Sequence, residues 1–406
     1  MTNRGIHWSA STDHASCLAN WSYWRDELKS LGVGWVKLLD AGNGSSIEVC
    51  KRLLDMGITP VVRLYRGQPG SGRLPADSIE AVRRLVGVGV KYFEAGNEPN
   101  LRTEWEYGSW MSLDWKARVA AVMASWIVDA HTIIALGGMP AFPALAQCAH
   151  TMTEDATGSI PWTIEAVRCL AQEHASDAKY IWAHGGWIAA HMASLNHPFD
   201  YPNDPINQKD HPGATVMQDD CCLRGYGVIS DLVSETFGVD PPVISTEGGV
   251  FVPKNGSQQW DNRYPPLTYD TQATLTVSMF EWLAKNAPQV IAMCPWLIAN
   301  EKMGHPAEWE NDAWFHRDGP RPVVAAMKVS VPPAVEPLDA IRNAAWQAVG
   351  IAFNPEAAFG LKARELVLGN PVTNEFDVGE YRAQGFAYGI LWAKVGDWAN
   401  VKVMEW

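Results

Sequence analysis

Residues Lys91-Tyr-Phe-Glu-Ala-Gly-Asn-Glu-Pro-Asn100 form an apolar run that stops abruptly at Gly96-Asn-Glu-Pro99. The run has strand length, and the Gly and Pro that close it are chain-turning residues. Similar runs recur at Gly5–Trp8, Trp35–Leu39, Thr59–Tyr65, Tyr92–Ala95, Thr132–Gly137, Tyr180–His184, Val243–Thr246 and Val290–Trp296. Amphipathic stretches separate them. One is Asp114–Ala130, with Val119, Met123, Trp126 and Ile127 at helical spacing, and another begins at Asp77 with Glu80 as the partner of a capping box. Strands alternating with helices predict a parallel sheet. Eight such units in roughly the first 325 residues match a closed barrel, whereas an open doubly wound sheet usually has five or six strands. The expected fold is therefore α/β, a (β/α)8 TIM barrel with a small C-terminal appended domain.

The barrel is expected to occupy residues 1–330. Val331-Pro-Pro-Ala-Val-Glu-Pro337 then reads as a stiff linker over 331–338, with a separate small unit at 339–406 that starts on a helix, Ile341–Val349, and includes a strand at Gly389–Ala393. The longest connection runs from Gly185 to Asp240 and is broken by prolines, and loops of that length are usually functional.

Composition narrows the function. The 406 residues are 47% hydrophobic, enough for a large core, and carry a formal net charge of −13. Nucleic-acid affinity comes mainly from Lys and Arg neutralising phosphates, so neither nucleic acid nor an anionic membrane is an expected partner. No Gly-rich phosphate-binding pattern follows any strand, and no organic cofactor is expected. Seven cysteines without regular spacing argue against a disulfide framework and suggest a reducing compartment. The first residues hold no apolar run of signal-peptide length, and no later window is read as membrane-spanning. Twenty tryptophans suit either a Trp-rich core or stacking on the apolar faces of sugar rings.

In a closed parallel barrel the strand C-termini carry the chemistry. Two strands end there in a carboxylate: the fourth at Glu98, and the seventh at Glu247, within Val243-Ile-Ser-Thr-Glu-Gly-Gly249. Cleaving a glycosidic bond needs a carboxylic acid to protonate the leaving oxygen and a carboxylate across the anomeric carbon. Two glutamates can supply both. A separation of about 5–5.5 Å gives retention of configuration, and a wider gap gives inversion.

With these motifs the sequence resembles the clan A retaining glycoside hydrolases, whose barrels carry Asn-Glu on strand four and Glu on strand seven. Asn97-Glu98-Pro99 matches the first motif, and Glu247 fits the second by position. The resemblance implies Glu98 as acid and then base, Glu247 as nucleophile, and Asn97 as a donor to the sugar 2-hydroxyl. It also implies hydrolysis of β-linkages in an oligo- or polysaccharide. A silent carbohydrate-binding barrel and a transglycosylase using the same site are the alternatives.

Arg63, inside strand three, would be costly unless it meets a carboxylate, and an ion pair with Glu247 would keep that group ionised. Related barrels place a His or Tyr at the end of strand six, which here is read as His184. They also keep an aromatic floor at the end of strand eight, read as Trp296. Lys37 and Asp40 on strand two, Tyr65 on strand three, and His7 and Trp8 on strand one are further candidates for substrate contact. Trp105, Trp110, Trp309 and Trp314 are candidates for flanking subsites. The loop after strand six, with Asn196, His197, Asp200, Tyr201, Asn203 and Asp204, suits sugar hydroxyls; its spacing matches no EF-hand, His184 and His191 lack zinc-motif spacing, and no metal is expected. The segments Ala363–Phe376 and Tyr381–Ala393 resemble a divergent LGFP-type repeat, with Leu368-Gly-Asn-Pro371 in place of its core motif. That likeness implies a tether to a cell envelope or glycan surface.

Overall fold

The computed structural model describes residues 3–252, 257–258, 260–330 and 353–406. The chain divides into two compact units, Met1–Val331 and Pro332–Trp406. The expected linker and the helical start at Ile341–Val349 lie outside the described residues.

The first unit is a barrel of eight parallel strands in sequential order: β1 (Gly5–His7), β2 (Trp35–Asp40), β3 (Thr59–Leu64), β4 (Tyr92–Ala95), β5 (Met139–Phe142), β6 (Trp187–Ala193), β7 (Val243–Gly249) and β8 (Val290–Met293). An Arg4–Met293 bridge and the hydrogen bond from His7 N to Pro295 O, 3.0 Å, draw the eighth strand back to the first. Strands covered by helices outside and by side chains inside must be apolar on both faces, as β2 is, with all six residues buried.

The inward face follows the pleat, which returns every second residue to the same side. At the start of the strands Trp35, Val61, Tyr92, Trp187 and Ile244 fill the barrel bottom. Ring centroids stand 5.3 Å apart for Trp35 and Tyr92, and 5.9 Å for Tyr92 and Trp187. Two residues further on, the same strands present Lys37, Arg63, Glu94 and Thr246. The barrel interior thus passes from an aromatic plug to a charged layer within one pleat.

Two expected strands are corrected. Thr132–Gly137 is the end of the helix Trp115–Ala135, and the strand begins beyond it at Met139. Tyr180–His184 belongs to the end of the helix Ala175–Ala183, with the strand at Trp187–Ala193. In each case the glycine that closes the apolar run, Gly137 (φ 94°) or Gly185 (φ 93°), follows a helix C-terminus, where a left-handed residue stops the helix. The capping box at Asp77 is also corrected. The helix is Ala76–Gly87, Pro75 precedes it without a side-chain cap, and Asp77 sits in the first turn, where its charge favours the helix N-terminus. Trp115–Ala135 is long and apolar enough by length and composition to cross a membrane, contrary to the sequence expectation. More than half of that window is buried, including Trp126, whose indole donates to Ala141 O at 2.7 Å.

The second unit pairs a helix, Ala358–Glu365, with a four-stranded antiparallel sheet of Phe376–Val378, Tyr381–Phe386, Gly389–Lys394 and Lys402–Met404. Leu368 packs there with Phe359, Ala363, Phe386 and Leu391.

Candidate active site

Glu247 and Glu98 meet over a single imidazole. A register irregularity between Ala190 and His191 sets His191 opposite Glu247 across β6 and β7. His191 Nδ1 lies within hydrogen-bond distance of Glu98 Oε1, at 2.7 Å, while its Nε2 stands 3.8 Å from Glu247 Oε1. The two carboxylates are therefore bridged by one ring. Gly248 permits this approach: a Cβ there would lie 2.5 Å from the Met192 carbonyl carbon, at a φ of 102°. Glu98 itself has φ 27°, a strained value for a side-chain-bearing residue, and such strain concentrates at functional sites.

Cations gather around Glu247. Arg63 Nη1 lies 2.7 Å from its Oε1, the ion pair expected from the sequence, and Lys37 Nζ lies at 3.7 Å. Burial alone would raise the Glu247 carboxyl, but His191, Arg63 and Lys37 outweigh it and hold the group well below the usual carboxylate range. Burial lowers the His191 imidazole, yet the two facing glutamates reverse this and leave it raised. His7 is fully buried, 3.9 Å from Glu247, and is pushed well below its ordinary value by burial and then by Lys37. Neither ring nitrogen has a hydrogen-bond partner among the described residues.

Beneath this layer Lys37 pairs with Glu94 at 3.2 Å, both without solvent exposure. Burial lowers the Lys37 ammonium and Glu94 partly offsets it. Thr246 donates to the other oxygen of Glu94 at 3.3 Å. On the far side of Arg63, Asn97 Oδ1 accepts from Arg63 Nη1, and Asn97 Nδ2 donates to Glu104 Oε1 at 3.0 Å. Glu104 is half-buried, and burial raises its carboxyl. Trp296, joined to Leu297 by a cis peptide bond, stacks obliquely on His7 at 4.4 Å and meets Trp309 edge-on at 5.4 Å.

Of the residues singled out from the sequence, Glu98, Glu247, Asn97 and Arg63 converge, with His7 and Trp296 beside them. Others do not. His184 closes a helix on the approach to β6; its ring is exposed, stacked on Tyr180 at 3.9 Å and bonded to Tyr180 O. The residue at the β6 end is His191. Lys37 is buried under Glu247 and not open to a ligand. Asp40 turns both oxygens to its own loop, accepting from the backbone N–H groups of Gly42, Asn43, Gly44 and Ser46 and from the Ser46 hydroxyl. Trp8 is fully buried against Trp24 at 5.7 Å. Tyr65 is largely exposed. Trp105, Trp110 and Trp314 are core residues, leaving Trp309, 43% exposed, as the one of those four open to a ligand.

The loop after β6 spends polar groups on its own backbone and on the loop after β7. Asn196 bonds the backbone at Trp260, Asp261 and Tyr264, His197 bonds Cys221 O, and Asp204 caps the helix Pro205–Asp210. With the loop after β7 it encloses an open hollow of about 640 Å³ lined by Leu195, His197, Asp219, Trp260, Asp261 and Asn262. Among the described residues two groups have metal-like spacing, Cys169/Glu173/His174 and Asp219/Asp220/Cys221. Neither includes a residue of the glutamate site, and Asp219 already accepts from the Tyr201 hydroxyl and Cys221 N.

Sequence reading missed His191, Glu94 and Glu104. His191 carries a usable signal, since it lies inside an apolar strand where a polar side chain needs a partner. Glu104 has no such signal, because it returns to Asn97 through a loop.

No family model matches the chain, and no curated protein matches it. Among solved structures the chain is similar to AbfB, a family 51 α-L-arabinofuranosidase from Bifidobacterium longum, at 12% identity over 80% of this chain and 72% of that one, with a TM-score of 0.49. It is similar to two fungal β-1,4-galactanases at 12% identity, over 82% of this chain and 100% of that one, with a TM-score of 0.46. It is also similar to a D-psicose 3-epimerase from Clostridium cellulolyticum H10 at 11% identity, over 81% and 96%, with a TM-score of 0.39. At such identities and scores these likenesses assign no function, and the barrel is read from its own strands.

Proposed function

We propose that the chain is a retaining glycoside hydrolase that cleaves β-glycosidic bonds in an oligo- or polysaccharide. The observation that carries this reading is the convergence of Glu98 and Glu247 on one imidazole, with Glu247 held ionised among cations. In the first step Glu98 gives its proton to the glycosidic oxygen as the Glu247 carboxylate attacks the anomeric carbon. The bond to the leaving group breaks, and an ester to Glu247 forms. In the second step Glu98, now a carboxylate, takes a proton from water, whose oxygen displaces Glu247 and restores both groups. Arg63, Lys37 and His191 suit Glu247 to both roles, since they favour the anion that attacks first and leaves last. Trp296 and Trp309 offer apolar faces for the sugar ring at the cleavage point. The C-terminal unit would act as a glycan or cell-envelope tether, raising effective substrate concentration without new chemistry.

Incubation with a panel of activated 2-deoxy-2-fluoro glycosides, followed by peptide mass spectrometry, tests the assignment. A sugar adduct on the peptide containing Glu247 is expected. Adduct on another residue, or the absence of both labelling and turnover across the panel, would overturn it. Product analysis at high acceptor concentration separates hydrolysis from transfer to a second sugar.

A further inference from the structure

We propose that Glu104 is a positioning residue for this reaction: it fixes the orientation of the Asn97 amide beside Glu98 and thereby the arm of hydrogen bonds that runs through Arg63 to Glu247. The proposal rests on the glycosidase reading above.

An amide side chain has two ends of nearly equal shape and opposite hydrogen-bond sense, so its orientation is set by its partners. Arg63 is a donor only, and it demands the Asn97 oxygen. An ionised Glu104 is an acceptor only, and at 3.0 Å it demands the Asn97 nitrogen. Together the two partners leave a single orientation. The second hydrogen on Asn97 Nδ2 has no partner among the described residues and is free to meet a hydroxyl oxygen.

The chain is built to bring Glu104 to this place. After Pro99 it makes a single 3-10 turn, Arg102–Glu104, pinned by the Trp105 indole, which donates to Pro99 O at 2.9 Å. Trp105 itself is buried. Glu104 is half-buried, and among the described residues no Lys, Arg or His forms a salt bridge with it, a costly setting for a carboxylate that does nothing else. Among the described residues its carboxylate has a single hydrogen-bond partner, Asn97.

The test is a double-mutant cycle on whichever aryl β-glycoside the wild type turns over, with Glu104→Ala, Glu104→Gln, Asn97→Ala and the Asn97→Ala/Glu104→Ala double variant. A hydrogen bond to a charged group corresponds to about a tenfold to hundredfold effect, so Glu104→Ala should lower kcat/KM by that factor. Its thermal unfolding midpoint should stay near that of the wild type. Glu104→Gln should recover most of the activity, because its amide oxygen still accepts from Asn97. The double variant should be no slower than Asn97→Ala alone. Additive losses in the cycle, a fully active Glu104→Ala, or a Glu104→Gln as slow as Glu104→Ala would overturn the proposal while leaving the glycosidase reading intact. A wild type inactive on every glycoside would sink both.

Discussion

The bottom and the mouth of this barrel are made by the same strands two residues apart, yet they follow opposite physics. Trp35, Tyr92 and Trp187 close the bottom through apolar burial and edge-to-face ring contacts. One pleat later Lys37, Glu94 and Arg63 put charge into the same enclosed space. Each charge there is tolerable only because it has a partner, since an ion taken out of water unpaired is strongly unfavourable. The lower layer spends side chains on stability, and the upper layer spends stability on holding Glu247 ionised and in place.

The largest expected effect lies at the mouth. Glu247→Gln removes the proposed attacking group and should lower kcat on the order of 10⁴-fold, measured with an aryl glycoside. A residual rate within tenfold of wild type would break the contrast between the layers. At the bottom, Trp35→Ala should cost about 3–5 kcal/mol of stability in urea unfolding and change kcat of the folded fraction little. Between the layers, Lys37→Met strands Glu94 and should cost about 3–5 kcal/mol. Pairing it with Glu94→Leu should restore part of that loss, whereas a double variant less stable than the single would show that the pair does more than neutralise itself.

A pH measurement sharpens the comparison further. A carboxyl held below its unfolded value contributes stability that is complete above the ordinary carboxylate range and is lost as pH falls toward the folded value. Glu247 behaves this way, so the acid limb of kcat/KM should not report a normal glutamate at this position. Arg63→Met removes one of the cations that lower it, and the acid limb should move to higher pH. An unmoved limb would show that Arg63 does not set the charge of Glu247. The smallest effect is expected at His184→Ala, with activity and stability close to wild type, because its exposed ring stacks on and bonds to Tyr180 of its own helix.

Much of the barrel was legible because strand signals are local. The runs at Trp35, Thr59, Tyr92 and Val243 carry apolar stretches of strand length closed by turns, and the structure starts strands at those same residues. The fifth and sixth strands were misplaced because Thr132-Ile-Ile-Ala and Tyr180-Ile-Trp-Ala hold β-branched or aromatic residues while continuing a helical face. Local propensity yields to tertiary packing in such runs. The misplacement carried the functional reading to His184 instead of His191, seven residues on.

What the sequence determined by itself was the alternation of strand and helix, and the two carboxylates with Asn97 and Arg63, since these depend on nearest neighbours and on the cost of a charge inside an apolar strand. Only the tertiary structure decided that His191 bridges Glu98 to Glu247, that Asp40 is consumed by its own loop, and that Glu104 turns back to Asn97. The contact of His191 with Glu98 joins residues 93 positions apart. The partners of His191 are chosen by barrel closure and register, which no local pattern encodes.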